Sequence, residues 1–537
     1  MDKPSAQARA PSSPLALLTP KETPLLAGPG SGSGGIGSGS GSNSNGKIHI
    51  PLARYATWIE DNQLKRYAPW LVILVTGLVR WCVGFGPYSG YATPPRFGDY
   101  EAQRHWMELT LHRPVREWYC GNLINPEWYA WKTSRGYESA EAKEFMRISV
   151  LVFELVVYTS SVVVFTRRWL VNKAWIRQHT LLLLILLQPG LILIDHGHFQ
   201  YNAVMLGLTV WAVNCFLADQ DVLGSVFFCL ALSFKQMALY YSPAVFGYLL
   251  GKSLRLGVIG CLWKLIKLGV TVVATLGIMF APWLQSKDDI LQVAQRIFPV
   301  FRGLYEDKVA NIWCALNVAI KLRDLFDIQT LVRFSTLATL AAFLPSCIAL
   351  IARPTKRGLI YGLANSSLSF FLLSFQVHEK SILLPALPVT LLIVDEPVVA
   401  PWFVSLACFS MYPLLYREGL AMPYLAMVGL WIWLTAGLCT RRVSSTVKWL
   451  AVVAHVGLAG LQLAEWVAPT PLPRYPDLYA VLNAVLSAGG FTAYWVYFNW
   501  RQIIWLPSAR ALSSSTTSSG SRRQMLHQQQ QVKTKTA

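Results

Sequence analysis

The sequence predicts an all-α polytopic membrane protein, and three observations carry that prediction. Hydrophobic residues make up 53% of the 537 residues and charged residues 14%, against about 25% charged in a typical soluble domain. Apolar runs of roughly membrane-spanning length recur from Pro69 to Trp500, among them Trp70–Phe85, Val258–Trp283, Leu331–Ala352 and Met422–Cys439. A helix crosses the hydrocarbon layer with roughly 20 apolar residues. The short alternating segments of a membrane β-barrel do not occur in the sequence, so each span is read as a helix that satisfies its own backbone hydrogen bonds.

Residues 1–68 read as a disordered tail. Their first part is rich in Ser, Gly and Pro and ends in GPGSGSGGIGSGSGSNSNG, which cannot bury enough apolar surface to fold. No charged start leads into an apolar stretch there, so no cleavable signal is read, and the run from Trp70 is left to target the chain. Residues 69–506 are read as one membrane-embedded domain with long loops at 90–146 and 284–328, and residues 507–537 as a second disordered, basic tail.

Lys plus Arg number 47 and Asp plus Glu 28. These charges fall between the apolar runs rather than in one stripe, which argues against a nucleic-acid partner and for the basic loops of a membrane protein. Lys65 and Arg66 before the first span place the N-terminus in the cytosol. Arg167, Arg168, Lys173 and Arg177 follow a second span near Ile148–Phe165. Lys252 and Arg255, then Arg353, Lys356 and Arg357, then Arg441, Arg442 and Lys448 mark further cytosolic turns. Threading the runs between these anchors gives about 14 spans with both tails cytosolic. Cys215, Cys229, Cys261 and Cys408 lie in apolar runs and read as small core residues; no CxxC pair occurs among the nine Cys.

The same threading sends four polar segments to the lumenal face, and ionisable groups near membrane level are costly enough to suggest function. FGDYEAQRHWME (Phe97–Glu108) carries Asp99, Glu101 and Arg104. Asp99 is either a helix cap or the general base that an inverting sugar transfer needs. DHGHFQYN (Asp195–Asn202) carries His196 and His198; the spacing fits either a metal site or a hydrogen-bonded turn at the membrane mouth. FPVFRGLYEDKVANIW (Phe298–Trp313) carries Arg302, Asp307 and Lys308, either phosphate-binding cations or a solvated amphipathic helix. FQVHEK (Phe375–Lys380) ends a span with His378, Glu379 and Lys380. The two cations suit a lipid phosphate with Glu379 orienting them, whereas snorkelling explains Lys380 well and His378 poorly. No Gly-rich phosphate loop is present. Asp219-Gln220-Asp221 falls in a short cytosolic turn and reads as solvated.

Taken together these segments resemble the dolichyl-phosphate-glucose-dependent alpha-1,3-glucosyltransferases of N-glycan precursor assembly. Of the two sister enzymes, PVFRGLYEDKVANIWC (Pro299–Cys314) and FQVHEKSILL (Phe375–Leu384) look like the one that adds the first glucose to the nine-mannose lipid-linked oligosaccharide. The resemblance implies a C-type glycosyltransferase fold in the endoplasmic reticulum membrane, with the active site facing the lumen. It implies a dolichyl-phosphate-glucose donor, a dolichyl-diphosphate oligosaccharide acceptor, inversion at the glucose carbon, and no cofactor or metal. Asp99 matches the family's acidic residue in the first lumenal loop, the expected catalytic base. His378 falls in the motif that contacts the donor phosphate, with Lys380 and Arg302 beside it in that role. Glu101, Arg104, His196, His198, Asp307, Lys308 and Glu379 are expected in support.

The sequence departs from the family pattern at one place. After PVREWY the family continues into a further loop segment, whereas here Trp118 and Tyr119 run directly into CGNLINPEWYA. Two other readings stay open beside the first-glucose enzyme: the sister enzyme, and a catalytically impaired form lacking part of the first loop. A transporter is the least supported, because no paired inverted halves are visible.

Overall fold

The computed structural model describes residues 51–94, 97–112, 134–171, 173–283, 287, 291, 308–439, 445–468 and 474–504. Every regular element among them is helical. Six helices are long and apolar enough to cross a membrane: Ala140–Trp169, Gly257–Trp283, Ile328–Ala352, Ala421–Leu438, Trp449–Val467 and Leu478–Ile503. The bent pair Trp175–Leu186 and Pro189–Phe199 makes a seventh if it counts as one span. The sequence threading asks for about twice as many crossings. Part of the difference lies in the shorter apolar helices Ala68–Gly84, Asn202–Leu217, Asp221–Phe234 and Val399–Ser410.

The outer helices have the surface of a lipid-facing bundle. Val258, Ile259 and Ile278 on one helix and Val453, Val456 and Val467 on another are exposed. Apolar faces this continuous are unstable against water and suit hydrocarbon. Inside them one apolar core runs from Val72 through Leu181–Leu187, Tyr361–Phe371 and Leu383–Leu392 to Phe498.

Helix starts follow local chemistry. The side chains of Ser139, Asn311, Asp327 and Thr355 accept hydrogen bonds from the free backbone N–H groups of the turns they open. One helix falls where the sequence reading put a disordered tail: Pro51–Asp61 is helical. Tyr55 and Ile59, one helical turn apart, pack inward, a short periodic signal overshadowed by the Ser/Gly-rich stretch before it.

The basic turns gather at one end of the bundle. Asp219 pairs with Lys252 at 2.9 Å and Lys356 at 3.1 Å; Asp221 pairs with Lys252 at 2.7 Å and Lys264 at 2.6 Å. Arg357 pairs with Asp395, which also accepts the Trp169 indole N–H at 3.1 Å. The Asp219–Asp221 turn is therefore ion-paired rather than simply solvated, and Asp221 is buried. Helices Asn202–Leu217 and Lys356–Leu373 lead from this end to the other over roughly 24 and 27 Å, at about 1.5 Å per residue. The residues just before Asn202 and just after Leu373 consequently share the far end.

Candidate active site

Asp99 is the first residue of the helix Asp99–His112, where the dipole favours a carboxylate. Its position is fixed through Ser89. The Asp99 backbone N–H donates to Ser89 Oγ at 3.1 Å, and the Ser89 N–H donates to the His198 carbonyl at 3.0 Å. The two chain segments cross so closely that a Cβ on Gly98 would lie 2.2 Å from Ser89 Oγ and 2.7 Å from the Gly90 nitrogen.

His198 comes from a π-helical turn, Leu193–Phe199, of the kind often found at functional sites. The turn ends in Phe199 at φ 85°, a left-handed conformation that a bulky side chain adopts only when its surroundings enforce it. Tyr100 packs on Phe199, and Tyr88 stacks on Tyr100. The reversal turns both His198 and Gln200 to the same carboxylate: His198 Nε2 lies 2.9 Å from Asp99 Oδ2, and the Gln200 amide donates to that oxygen as well.

Lys380 arrives from the third segment. The helix Lys356–Leu373 ends, Gln376 takes a left-handed φ of 60°, and a short 3-10 turn, Glu379–Ile382, follows. The Lys380 ammonium bonds Asp99 Oδ2 and lies 3.1 Å from His198 Nε2. Burial alone would raise the Asp99 carboxyl. The hydrogen bonds and charges of His198 and Lys380 outweigh it and hold the group well below the usual carboxylate range. The result is an ionised carboxylate with the Lys380 ammonium against it.

The other expected residues divide. His378 is half-buried immediately before the turn that carries Lys380, and Glu379 faces Arg417 at 3.7 Å. Lys308 pairs with Asp477; the Trp313 indole donates to the Leu373 carbonyl at 2.7 Å, which brings this segment to the same end of the bundle. Arg302 and Asp307 lie outside the described residues. Glu101 and Arg104 brace the loop: the guanidinium holds the carboxylate at 2.6 and 2.7 Å and donates to Ser134 at 2.8 Å, while the Gly136 N–H donates to Glu101 at 3.1 Å.

The two histidines of DHGHFQYN have separate tasks. His196 meets Glu154 at 2.5 Å, and Glu154 pairs with Arg80 at 2.7 Å, all three buried. Asp195 accepts from Asn202 Nδ2 at 2.7 Å and from the Ala203 N–H at 2.6 Å. Among the described residues no group of three or more His, Cys, Asp and Glu is placed to hold a metal ion.

Three members of the cluster escaped the sequence reading. Both Glu418 oxygens lie close to His198 Nδ1, at 2.7 and 2.9 Å. Lys235 donates to Gln200 Oε1 at 2.9 Å and Asn202 Oδ1 at 2.5 Å. Gln200 sat inside a recognised segment but carries no charge to mark it. Glu418, in YREGL, reads as an ordinary loop carboxylate, and Lys235, at the end of an apolar run, as a snorkelling terminus.

The model of the ALG6, ALG8 glycosyltransferase family matches residues 76–123 and 120–498. The two matches overlap at residues 120–123, just after Tyr119. A probable dolichyl pyrophosphate Man9GlcNAc2 alpha-1,3-glucosyltransferase of Schizosaccharomyces pombe is 41% identical over 79% of this chain and 89% of its own length. The dolichyl pyrophosphate Man9GlcNAc2 alpha-1,3-glucosyltransferase of Gallus gallus is 41% identical over 80% of this chain and 95% of its own. That of Saccharomyces cerevisiae is 38% identical over 80% and 91%.

Proposed function

The chain belongs to the ALG6, ALG8 glycosyltransferase family, and from that premise we infer that it is the alpha-1,3-glucosyltransferase that adds the first glucose to dolichyl pyrophosphate Man9GlcNAc2. The donor is dolichyl-phosphate-glucose. The enzyme sits in the endoplasmic reticulum membrane with about 14 spans. Its site faces the lumen and both tails face the cytosol. One observation carries the reading: Asp99, His198 and Lys380, from three segments far apart in sequence, meet at one carboxylate oxygen.

The chemistry follows from that meeting. The Asp99 carboxylate takes the proton from the acceptor hydroxyl as the hydroxyl oxygen bonds to the glucose C1. The bond from C1 to the phosphate oxygen breaks on the opposite face, which inverts the carbon. The departing dolichyl phosphate gains one negative charge. Lys380 turns from Asp99 to that phosphate, with His378 beside it, and fixed cations favour the state in which the charge develops. Arg302 is expected at the same phosphate, with Asp307, Lys308 and Glu379 in support, while Glu101 and Arg104 tie the helix Asp99–His112 to Ser134 and Gly136. No step requires a metal.

A second reading is favoured by the broken family match at residues 120–123: a form with impaired transfer. One experiment separates the readings. Microsomes from cells without their own enzyme, expressing this chain, receive labelled dolichyl-phosphate-glucose and either the unglucosylated or the monoglucosylated acceptor. Label on the unglucosylated acceptor alone is expected. Label only on the other identifies the sister activity, and label on neither identifies the impaired form.

A further inference from the structure

The contacts to the Asp99 carboxylate are one-sided. His198 Nε2, the Gln200 amide and the Lys380 ammonium all meet Oδ2. Oδ1 takes no hydrogen bond from the described residues, and the side chain is 32% exposed. The Gln200 amide is itself oriented from behind. Lys235 follows the helix Asp221–Phe234, and its ammonium donates to Gln200 Oε1 at 2.9 Å and to Asn202 Oδ1 at 2.5 Å. Asn202 Nδ2 donates to Gln200 Oε1 at 3.0 Å and to Asp195 at 2.7 Å. An ammonium can only donate and an ionised carboxylate can only accept. Lys235 therefore draws the Gln200 oxygen toward itself and leaves the NH2 group to face Asp99. A flipped amide would set oxygen against the carboxylate and NH2 against the ammonium. Gln200 and Asn202 are both buried, where such mismatches are costly.

We propose that Gln200 and Lys235 are positioning residues for the base: they pin Asp99 Oδ2, and Oδ1 is the oxygen that takes the acceptor's proton. This rests on the role of Asp99 inferred above and deepens it. The step balances. The acceptor O–H bond breaks, its oxygen bonds to the glucose C1 and the proton passes to Oδ1. The bond from C1 to the phosphate oxygen breaks, and its electron pair stays on the phosphate. When Lys380 turns to that phosphate, Oδ2 keeps its contacts with Gln200 and His198. The carboxylate is thereby held in one rotation while its other oxygen works. Both residues act through Asp99 and have no contact with the reacting atoms in this step.

The charged and titratable groups around the carboxylate come from four segments. His198 lies at Oδ2 with Glu418 behind it, and Lys380 reaches the same oxygen. Lys235 stands beyond Gln200, and Asp195 beyond Asn202.

Gln200→Glu tests this, because it keeps the size of the side chain and the partner for Lys235 but turns an oxygen toward Asp99. The full chain is compared with Q200E, K235M and K235R in lipid nanodiscs, with labelled dolichyl-phosphate-glucose and the unglucosylated acceptor. For Q200E, kcat should fall about 10- to 100-fold, the range for losing a hydrogen bond to a charged group, while both KM values stay within about twofold. K235M should lose about 10-fold in the same way, and K235R, which restores a donor, should recover most of it. Infrared difference spectra against the same chain carrying Asp99→Asn isolate the Asp99 bands without any turnover. The parent should show a carboxylate with two unequal C–O bonds. In Q200E that inequality should shrink, and the protonated band should emerge at higher pH, because a like charge stands beside the group. A kcat within twofold of the parent in Q200E, a loss carried by KM, equal losses in K235M and K235R, or Asp99 bands unmoved in Q200E and K235M overturns the proposal. Absence of glucose transfer by the parent chain, or parental transfer in Asp99→Asn, sinks the inferred function instead, and the spectra then decide by themselves whether Gln200 and Lys235 hold Oδ2.

Discussion

The Lys380 ammonium rests on the Asp99 carboxylate, joining residues 281 positions apart in the chain. In the proposed mechanism this cation and this carboxylate part before the carboxylate takes a proton, and a phosphate entering beside them supplies the reason to part. Four expectations follow from this cluster and its supports.

Asp99→Asn preserves the size of the side chain and removes its basicity. Glucose transfer in microsomes should fall about 10²–10⁴-fold, the range for loss of a general base, while the amount of inserted protein stays the same. Transfer at the parental rate would show that another group takes the proton.

Lys380→Met removes the charge but keeps much of the stem. The donor KM should rise and kcat should fall together, because in the proposed mechanism the lysine serves both the bound and the departing phosphate. A fall in acceptor affinity alone would place Lys380 at the other substrate.

The Asp99 carboxyl is held below its ordinary value, so its ionised form is favoured by folding. The stabilisation from this group is complete above the unfolded value of about 4 and is lost only as pH falls through the lower folded value. Infrared difference spectra between the parent chain and Asp99→Asn should therefore show no protonated carboxyl at about pH 5. In Lys380→Met one cation is gone, and the protonated band should emerge at a higher pH than in the parent.

Gly98→Ala places a methyl group 2.2 Å from Ser89 Oγ and 2.7 Å from the Gly90 nitrogen. The backbones must separate, at a cost of about 1–3 kcal/mol for overpacking. A lower melting temperature in detergent should accompany a loss of transfer. Unchanged values for both would mean that the crossing is slack.

Much of this was legible in the sequence. The apolar runs foretold the helices because lipid leaves the backbone few alternatives, and Asp99, His198 and Lys380 stood out as ionisable groups in an apolar setting. The basic turns placed Lys252 and Lys356 on a common face, and Asp219 holds both. What stayed hidden was partnership. Nothing local tells Glu418 from any other loop carboxylate, since its significance lies wholly in a histidine 220 positions earlier. His196 and His198 share a motif yet face different acids, because side chains two residues apart on a helical turn point to different sides.

Ser89 stands between the two groups: its amide donates to the His198 carbonyl and its hydroxyl accepts from the Asp99 amide. The gap between carboxylate and imidazole is thus gauged by a third residue. Small changes around that serine would alter this spacing while both side chains stay as they are.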